Sequence, residues 1–202
     1  MAAAQLEARD INDERVLDAM RQVPREKFVP EGTTDMAYQD SPLAIGHGQT
    51  ISQPYIVAKM CQLLELDPRA KVLDVGAGSG YETAVLSLLA DQVIGVEIIP
   101  ELAKAANQTL SELGYDNAQV ITGDGRKGYN PAAPYDGIKV AAAAEKILKP
   151  WKDQLKVGGR LVAPLKSGLG QVITRLTKHP GGFTQEKFDL VRFVPLVEEG
   201  DT

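Results

Sequence analysis

Residues 11–23 carry Val16, Leu17 and Met20 at helical spacing and run into Pro24, which predicts a helix ended by the proline. From 24 to 55 the period is lost among Pro, Gly and single polar residues, and a loop that long inside a compact domain usually has a job. Its last part, 45–55, reads Ile-Gly-His-Gly-Gln-Thr-Ile-Ser-Gln-Pro-Tyr, with no apolar face to bury and no obvious turn. Helical spacing returns over 54–66 through Ile56, Val57, Met60, Leu63 and Leu64, with Ser52 standing where an N-cap belongs. After Asp67 and Pro68 strand and helix alternate. Strands are predicted at 71–75, 93–96, 119–122, 135–140 and 160–163, and helices at 81–89, 100–113 and 151–155. This rhythm predicts an α/β fold, a mostly parallel sheet with helices on both faces. Beyond Pro164, strands at 171–177 and 188–194 are joined through His179-Pro180-Gly181-Gly182 without a helix, an antiparallel hairpin at the sheet edge.

A length of 202 residues fits one domain, with a helical and loop extension over 1–66, a core over 67–196 and a frayed tail over 197–202. The net charge of -5, with 22 Lys and Arg spread along the chain, disfavours nucleic acid and leaves small molecules or proteins as partners. No apolar run approaches the roughly 20 residues of a membrane span, and the start lacks a signal-peptide core. Cys61 has no partner for an internal disulfide and sits in an apolar helical pattern, so a cytoplasmic protein with a buried thiol is expected, and separately a monomer. With only His47, His179 and Cys61, a His/Cys metal cluster is hard to build, and no metal is expected.

The chemical signal is Val72-Leu73-Asp74-Val75-Gly76-Ala77-Gly78-Ser79-Gly80, three glycines between a buried strand and a helix, where backbone bends tightly and comes close to a ligand. Such turns are common. Glu97, at the end of the next strand and placed to take both ribose hydroxyls, makes this one specific for a nucleotide-like cofactor. Gly123-Asp124-Gly125 ends the third strand at the same edge. Dinucleotide loops favour Gly-x-Gly-x-x-Gly; here the spacing is Gly-x-Gly-x-Gly, and Asp74 just ahead would repel a pyrophosphate. A cofactor with an ammonium and a sulfonium suits Asp74 better.

The loop resembles the first motif of S-adenosylmethionine-dependent methyltransferases. The resemblance sharpens over Val23-Pro24-Arg25-Glu26-Lys27-Phe28-Val29-Pro30, Ala37-Tyr38-Gln39-Asp40, Pro42-Leu43-Ala44-Ile45-Gly46, Gln49-Thr50-Ile51-Ser52-Gln53-Pro54-Tyr55, Gly123-Asp124-Gly125-Arg126, Gly158-Gly159-Arg160-Leu161-Val162 and Phe193-Val194-Pro195-Leu196. Together these are similar to the protein-L-isoaspartate O-methyltransferase family, over nearly the whole chain. The resemblance implies a Rossmann-like methyltransferase fold, S-adenosyl-L-methionine as cofactor with S-adenosyl-L-homocysteine as product, and isoaspartyl-containing proteins and peptides as partners. It implies cofactor contacts from Gln49, Thr50, Asp74, Gly76, Gly78, Gly80, Glu97, Ile98, Asp124, Gly125 and Arg126. In it Asp124 meets the adenine amino group. Substrate contacts fall to Ile45, Gly46, Ile51 and Ser52, with Ser52 the catalytic-site residue, a positioning group and not a covalent nucleophile. Capping of the following helix is the plainer role for Ser52, and the two can coexist.

The accepting group in that family is a free α-carboxyl, with an ordinary pKa of about 3.3 to 3.7, so near neutral pH it is already the nucleophile and needs no general base. Alignment of carboxylate, methyl carbon and sulfur can contribute roughly 7 to 11 kcal/mol of the barrier. Thr50 and Ser52 supply hydroxyls for that task. His47 is expected to be exposed, Tyr55 and Trp151 to pack, Arg25 and Glu26 to form surface or structural pairs, and Asp40 either to orient the loop or to make a turn. The chain departs from the family pattern at Ala141-Ala142-Ala143-Ala144-Glu145-Lys146, at Lys139 inside a buried strand and at Lys166. These changes alter either the substrate side or local packing, and leave open another acceptor or an inactive peptide-binding relative.

Overall fold

The structure, a computed structural model, describes residues 3–168 and 170–197. The expected frayed tail falls, beyond Val197, outside the described residues. The predicted first helix is α1, Glu14–Gln22, capped by Asp13, whose carboxylate accepts from the Arg15 and Val16 amides.

The stretch expected to have no turn is a hairpin, β1 (Leu43–Gly46) against β2 (Gln49–Ile51). Gly46, His47 and Gly48 make its turn at φ of 90°, 51° and 69°, a left-handed run that two glycines make affordable. Helix α2, Pro54–Leu64, follows, with Gln53 at its N-cap and no side-chain capping bond, so Ser52 is not the cap. Pro54 at the first helical position has no N–H to satisfy, and Asp40 from outside the helix accepts from the Tyr55 amide at 3.3 Å.

The core is built from β3 (Lys71–Val75), α3 (Tyr81–Ser87), β4 (Gln92–Glu97), α4 (Pro100–Glu112), β5 (Ala118–Thr122), β6 (Tyr135–Val140), α5 (Lys149–Gln154), β7 (Leu155–Ser167), β8 (Gly170–His179) and β9 (Gly182–Val191). They form one seven-stranded sheet in the order β5-β4-β3-β6-β7-β8-β9, parallel from β5 to β7 and antiparallel at β8 and β9. Side chains on successive strand positions bury to opposite faces. Val72, Val93 and Val120 join α1 to α4 in one cluster, while Leu73, Val75, Ile94 and Val96 pack with Trp151 of α5 in another. Burial on both faces is why these strands are largely apolar without a strict alternation, with Asp74 the buried exception in β3.

The chain leaves β3 for β4 on one side and returns to β6 on the other, so the crevice at the carboxyl ends of β3 and β6 is the topological switch point. The Ala141 to Ala144 run crosses there and is pinned to the C-terminal segment. The Ala143 amide donates to Val194 O at 2.8 Å and the Leu196 amide to Ala143 O at 2.9 Å. No helix among the described residues is long and apolar enough to cross a membrane.

Candidate active site

A cavity of about 710 Å³, counting its open mouth, lies at this switch point, within the range of small-molecule sites. Gly76 and Gly78, at φ of 80° and 54°, turn the β3–α3 loop around its floor. Glu97 ends β4 on the wall, almost fully buried. Its two carboxylate oxygens accept from the Gly78 amide at 2.8 Å and the Ile99 amide at 3.0 Å, which fixes the carboxylate. Ile98 and Gly125 continue the wall, Gln49, Thr50, Ile51 and Ser52 close it from the hairpin side, and Ala141, Ala142 and residues 194–197 cover it.

A second, outer cleft of about 980 Å³ with its mouth opens beside the first. Pro42, Gln53, Ile56 and residues 190–193 line it, and Thr50, Ser52, Ala141 and Val194 belong to both. Ser52 therefore sits in the partition between the two spaces.

Its position is set by a residue read from sequence as a surface or structural pair. Arg25 is fully buried. Its Nε donates to Ala37 O at 2.7 Å and its Nη2 to Ser52 O at 2.8 Å, with the guanidinium 4.7 Å from the Tyr81 ring centre. Burial pulls the Arg25 pKa below the ordinary arginine value, with Tyr81 acting against it. Asp40 orients the same loop, accepting from Gln53 Nε2 at 2.7 Å and from Arg9 at 3.0 Å as well as from Tyr55 N. Glu26 takes the Tyr38 hydroxyl.

Several expected contacts lie off the cavity wall. Asp74 is fully buried beneath the loop: Oδ2 accepts from the Thr83 hydroxyl at 2.7 Å and Oδ1 faces Lys139 Nζ at 3.6 Å. The Asp124 carboxylate turns back to cap the 125–127 turn, accepting from Arg126 N at 2.9 Å, and only its neighbour Gly125 reaches the wall. Arg126 is part of that turn and half-buried. Gly80 is the left-handed N-cap of α3, where a Cβ would stand 3.0 Å from Ala106 Cβ, so it serves helix packing. Ile45 packs over Gly78, its Cδ1 3.2 Å from where a Cβ would be, and Gly46 and His47 lie in the exposed hairpin turn.

Glu82 was missed. It lines the cavity from the first turn of α3, 6% exposed, and pairs with Lys139. The visible sign was Lys139 itself, since an ammonium in a strand buried on both faces requires a carboxylate nearby. Burial pulls the Lys139 pKa down and Asp74 acts against it. Lys139 lines neither cleft, and Lys166 pairs with Glu145 at 2.8 Å on the surface, so both lysine departures are met by carboxylates away from the outer cleft.

A family model described as protein-L-isoaspartate(D-aspartate) O-methyltransferase matches residues 2–201. The chain belongs to this family. It is 50% identical over 200 residues to the protein-L-isoaspartate O-methyltransferase of Gloeobacter violaceus, covering 98% of each chain. It is 48% identical over 197 residues to that of Methanoculleus marisnigri, covering 98% of this chain and 90% of the other. Among solved structures, a protein-L-isoaspartate O-methyltransferase superposes with a TM-score of 0.85 at 28% identity, over 94% of this chain and 62% of that one. This chain thus spans less than two thirds of that protein. A Plasmodium falciparum protein assigned to the same family, in complex with S-adenosyl-L-homocysteine, gives a TM-score of 0.82 at 27% identity, over 96% and 95% of the two chains. The family's Rossmann-like methyltransferase fold accounts for the parallel core and antiparallel end of the sheet.

Proposed function

We propose that the protein transfers the methyl group of S-adenosyl-L-methionine to the free α-carboxylate of L-isoaspartyl residues in damaged proteins and peptides. The observation that carries this reading, beside the family, is the partition at Ser52, where an acceptor in the outer cleft meets a cofactor in the inner cavity. The cavity residues fit that cofactor. Glu97 offers a fixed, buried carboxylate to a ribose diol, Val75, Val96 and Ile98 offer apolar surface, and Glu82 offers an anionic group to a cation. When bound, S-adenosylmethionine supplies the electrophilic methyl carbon.

The chain's own residues orient and enclose. Thr50 and Ser52 present hydroxyls between the two spaces, Arg25 and Asp40 hold the segment that carries them, and the 194–197 segment with Ala141 and Ala142 limits water. An α-carboxylate is already ionised near neutral pH, and the reaction makes no demand on His47 out in the hairpin turn. Once the ester forms, the backbone nitrogen of the following residue attacks its carbonyl carbon. The new C–N bond closes a succinimide, the C–O bond breaks, methanol leaves with the amide proton, and water opens the ring partly to aspartate. A cytoplasmic monomer independent of nucleic acid belongs to the same reading, supported by the net charge of -5 and the buried lone thiol of Cys61.

Transfer of a tritiated methyl group to an isoaspartyl peptide tests the chemistry. The expected label is volatile, released as methanol on standing at mildly alkaline pH; a label that stays on the peptide, as on nitrogen or an ether oxygen, would refute it.

A further inference from the structure

Glu82, Lys139 and Asp74 form a buried charge cluster that methyl transfer, as described above, does not use. Lys139 Nζ is fully buried on β6, in contact with the Glu82 carboxylate and 3.6 Å from Asp74 Oδ1. Asp74 stands opposite Lys139 in the β3–β6 register, and its other oxygen takes the Thr83 hydroxyl. Cys61 lies near both, its thiol pushed up to about 12 by burial, and adds no charge. Two carboxylates against one ammonium leave the cluster one negative charge in excess.

That excess has a direction. Asp74 and Lys139 are off the cavity wall, whereas Glu82 is on it. The Glu82 side chain is 7% exposed and, apart from the Lys139 ammonium in contact with Oε2, its carboxylate meets no hydrogen-bond donor among the described residues. A buried carboxylate short of donors is costly unless a cation or donor arrives to complete it. The β3–α3 loop beside it belongs to the same cavity as Glu97, so the ribose and the cationic end of one ligand can be served from one space.

We propose that Glu82 is a cofactor-binding residue that receives the ammonium at the amino-acid end of S-adenosylmethionine, with Lys139 and Asp74 as positioning residues that hold its carboxylate at the wall. This rests on the cofactor proposed above. It moves to Glu82 the task that the motif alone assigns to Asp74, and it gives the lysine inside β6 a role in the site.

Two ligands separate the proposal from a purely structural ion pair. S-adenosylhomocysteine carries the amino-acid end, and methylthioadenosine has the same adenosine and sulfur without it. In calorimetric titrations, Glu82→Gln is expected to lose about tenfold or more in affinity for S-adenosylhomocysteine and less than about twofold for methylthioadenosine, the size expected for one hydrogen bond to a charged group. Equal losses for both ligands, or no loss for either, would overturn it. The triple variant Glu82→Gln with Lys139→Met and Asp74→Asn removes all three charges of the buried cluster. It is expected to regain the melting temperature lost in the single variant while its S-adenosylhomocysteine affinity stays low. Recovery of that affinity would make the cluster structural and overturn the proposal. Failure of the unaltered protein to bind either ligand would instead overturn the cofactor reading on which it rests.

Discussion

At Ser52 the backbone is committed and the hydroxyl is not: Arg25 takes the carbonyl at 2.8 Å, and α2 draws no capping bond from the side chain. Glu97 is the opposite case, a carboxylate held from both sides by backbone amides on the cavity wall. The two residues are expected to fail differently. In the proposed role, Ser52→Ala removes a hydrogen bond to a charged acceptor, worth about 1.5 to 3 kcal/mol, and should lower turnover by roughly 10- to 100-fold while S-adenosylhomocysteine affinity stays within about twofold. Glu97→Ala should weaken that affinity by a similar factor and spare turnover at saturating cofactor. Calorimetry beside steady-state kinetics checks the split, and equal loss of cofactor binding in both variants would contradict it. Cys61 makes a third expectation at this scale. Burial raises its pKa from 9.0 to about 12, so the folded state keeps the proton longer than the unfolded chain does. Its contribution to stability is therefore complete below about pH 9 and is lost as pH climbs toward 12. Alkylation by iodoacetamide at pH 8 should be at least about 100-fold slower in the folded protein than in denaturant, and equal rates would show an accessible thiol.

Among the elements, the proposed function puts the chemistry at the hairpin β1–β2 and the turn into α2, and Arg25 ties that turn to the segment at Ala37. Arg25→Met forfeits bonds to two carbonyls, at about 1 to 3 kcal/mol in stability, and should drop the melting temperature by roughly 2 to 12 °C. It should also lower turnover on peptide with S-adenosylhomocysteine affinity held within about twofold. A variant with a lower melting temperature and unimpaired turnover would show that Ser52 needs no such anchor. Element boundaries also show what could be read beforehand. β3 and β6 lie where their apolar runs predicted, because burial on both faces leaves a largely apolar signal. The same property hid Asp74, since a strand without polar alternation does not say which face a side chain takes. β7 was expected over 160–163 and runs Leu155–Ser167, its early part masked by Gly158 and Gly159 and its late part fixed only by pairing with β8. The hairpin was illegible because its strands are short, the exposed positions of β1 are Ala44 and Gly46 and so give no polar alternation, and its turn puts a histidine in the left-handed region. The choice between a surface and a structural role for Arg25 was not legible because its partners are carbonyl groups, which leave no mark in a sequence.

Across the whole molecule, the switch in strand order at β3 opens one crevice, and the N-terminal segment and the C-terminal 194–197 strip close over it from opposite ends of the chain. The inner cavity reads as a cofactor space and the outer cleft as an acceptor space. Family membership and that arrangement lead to one central claim, that the acceptor is an isoaspartyl α-carboxylate held in place and not activated by a base. Methyl transfer to two peptides that differ only in an aspartyl or isoaspartyl linkage at one position measures it directly. The account predicts methylation of the isoaspartyl peptide alone; equal labelling of the two peptides, or labelling of neither, would contradict it.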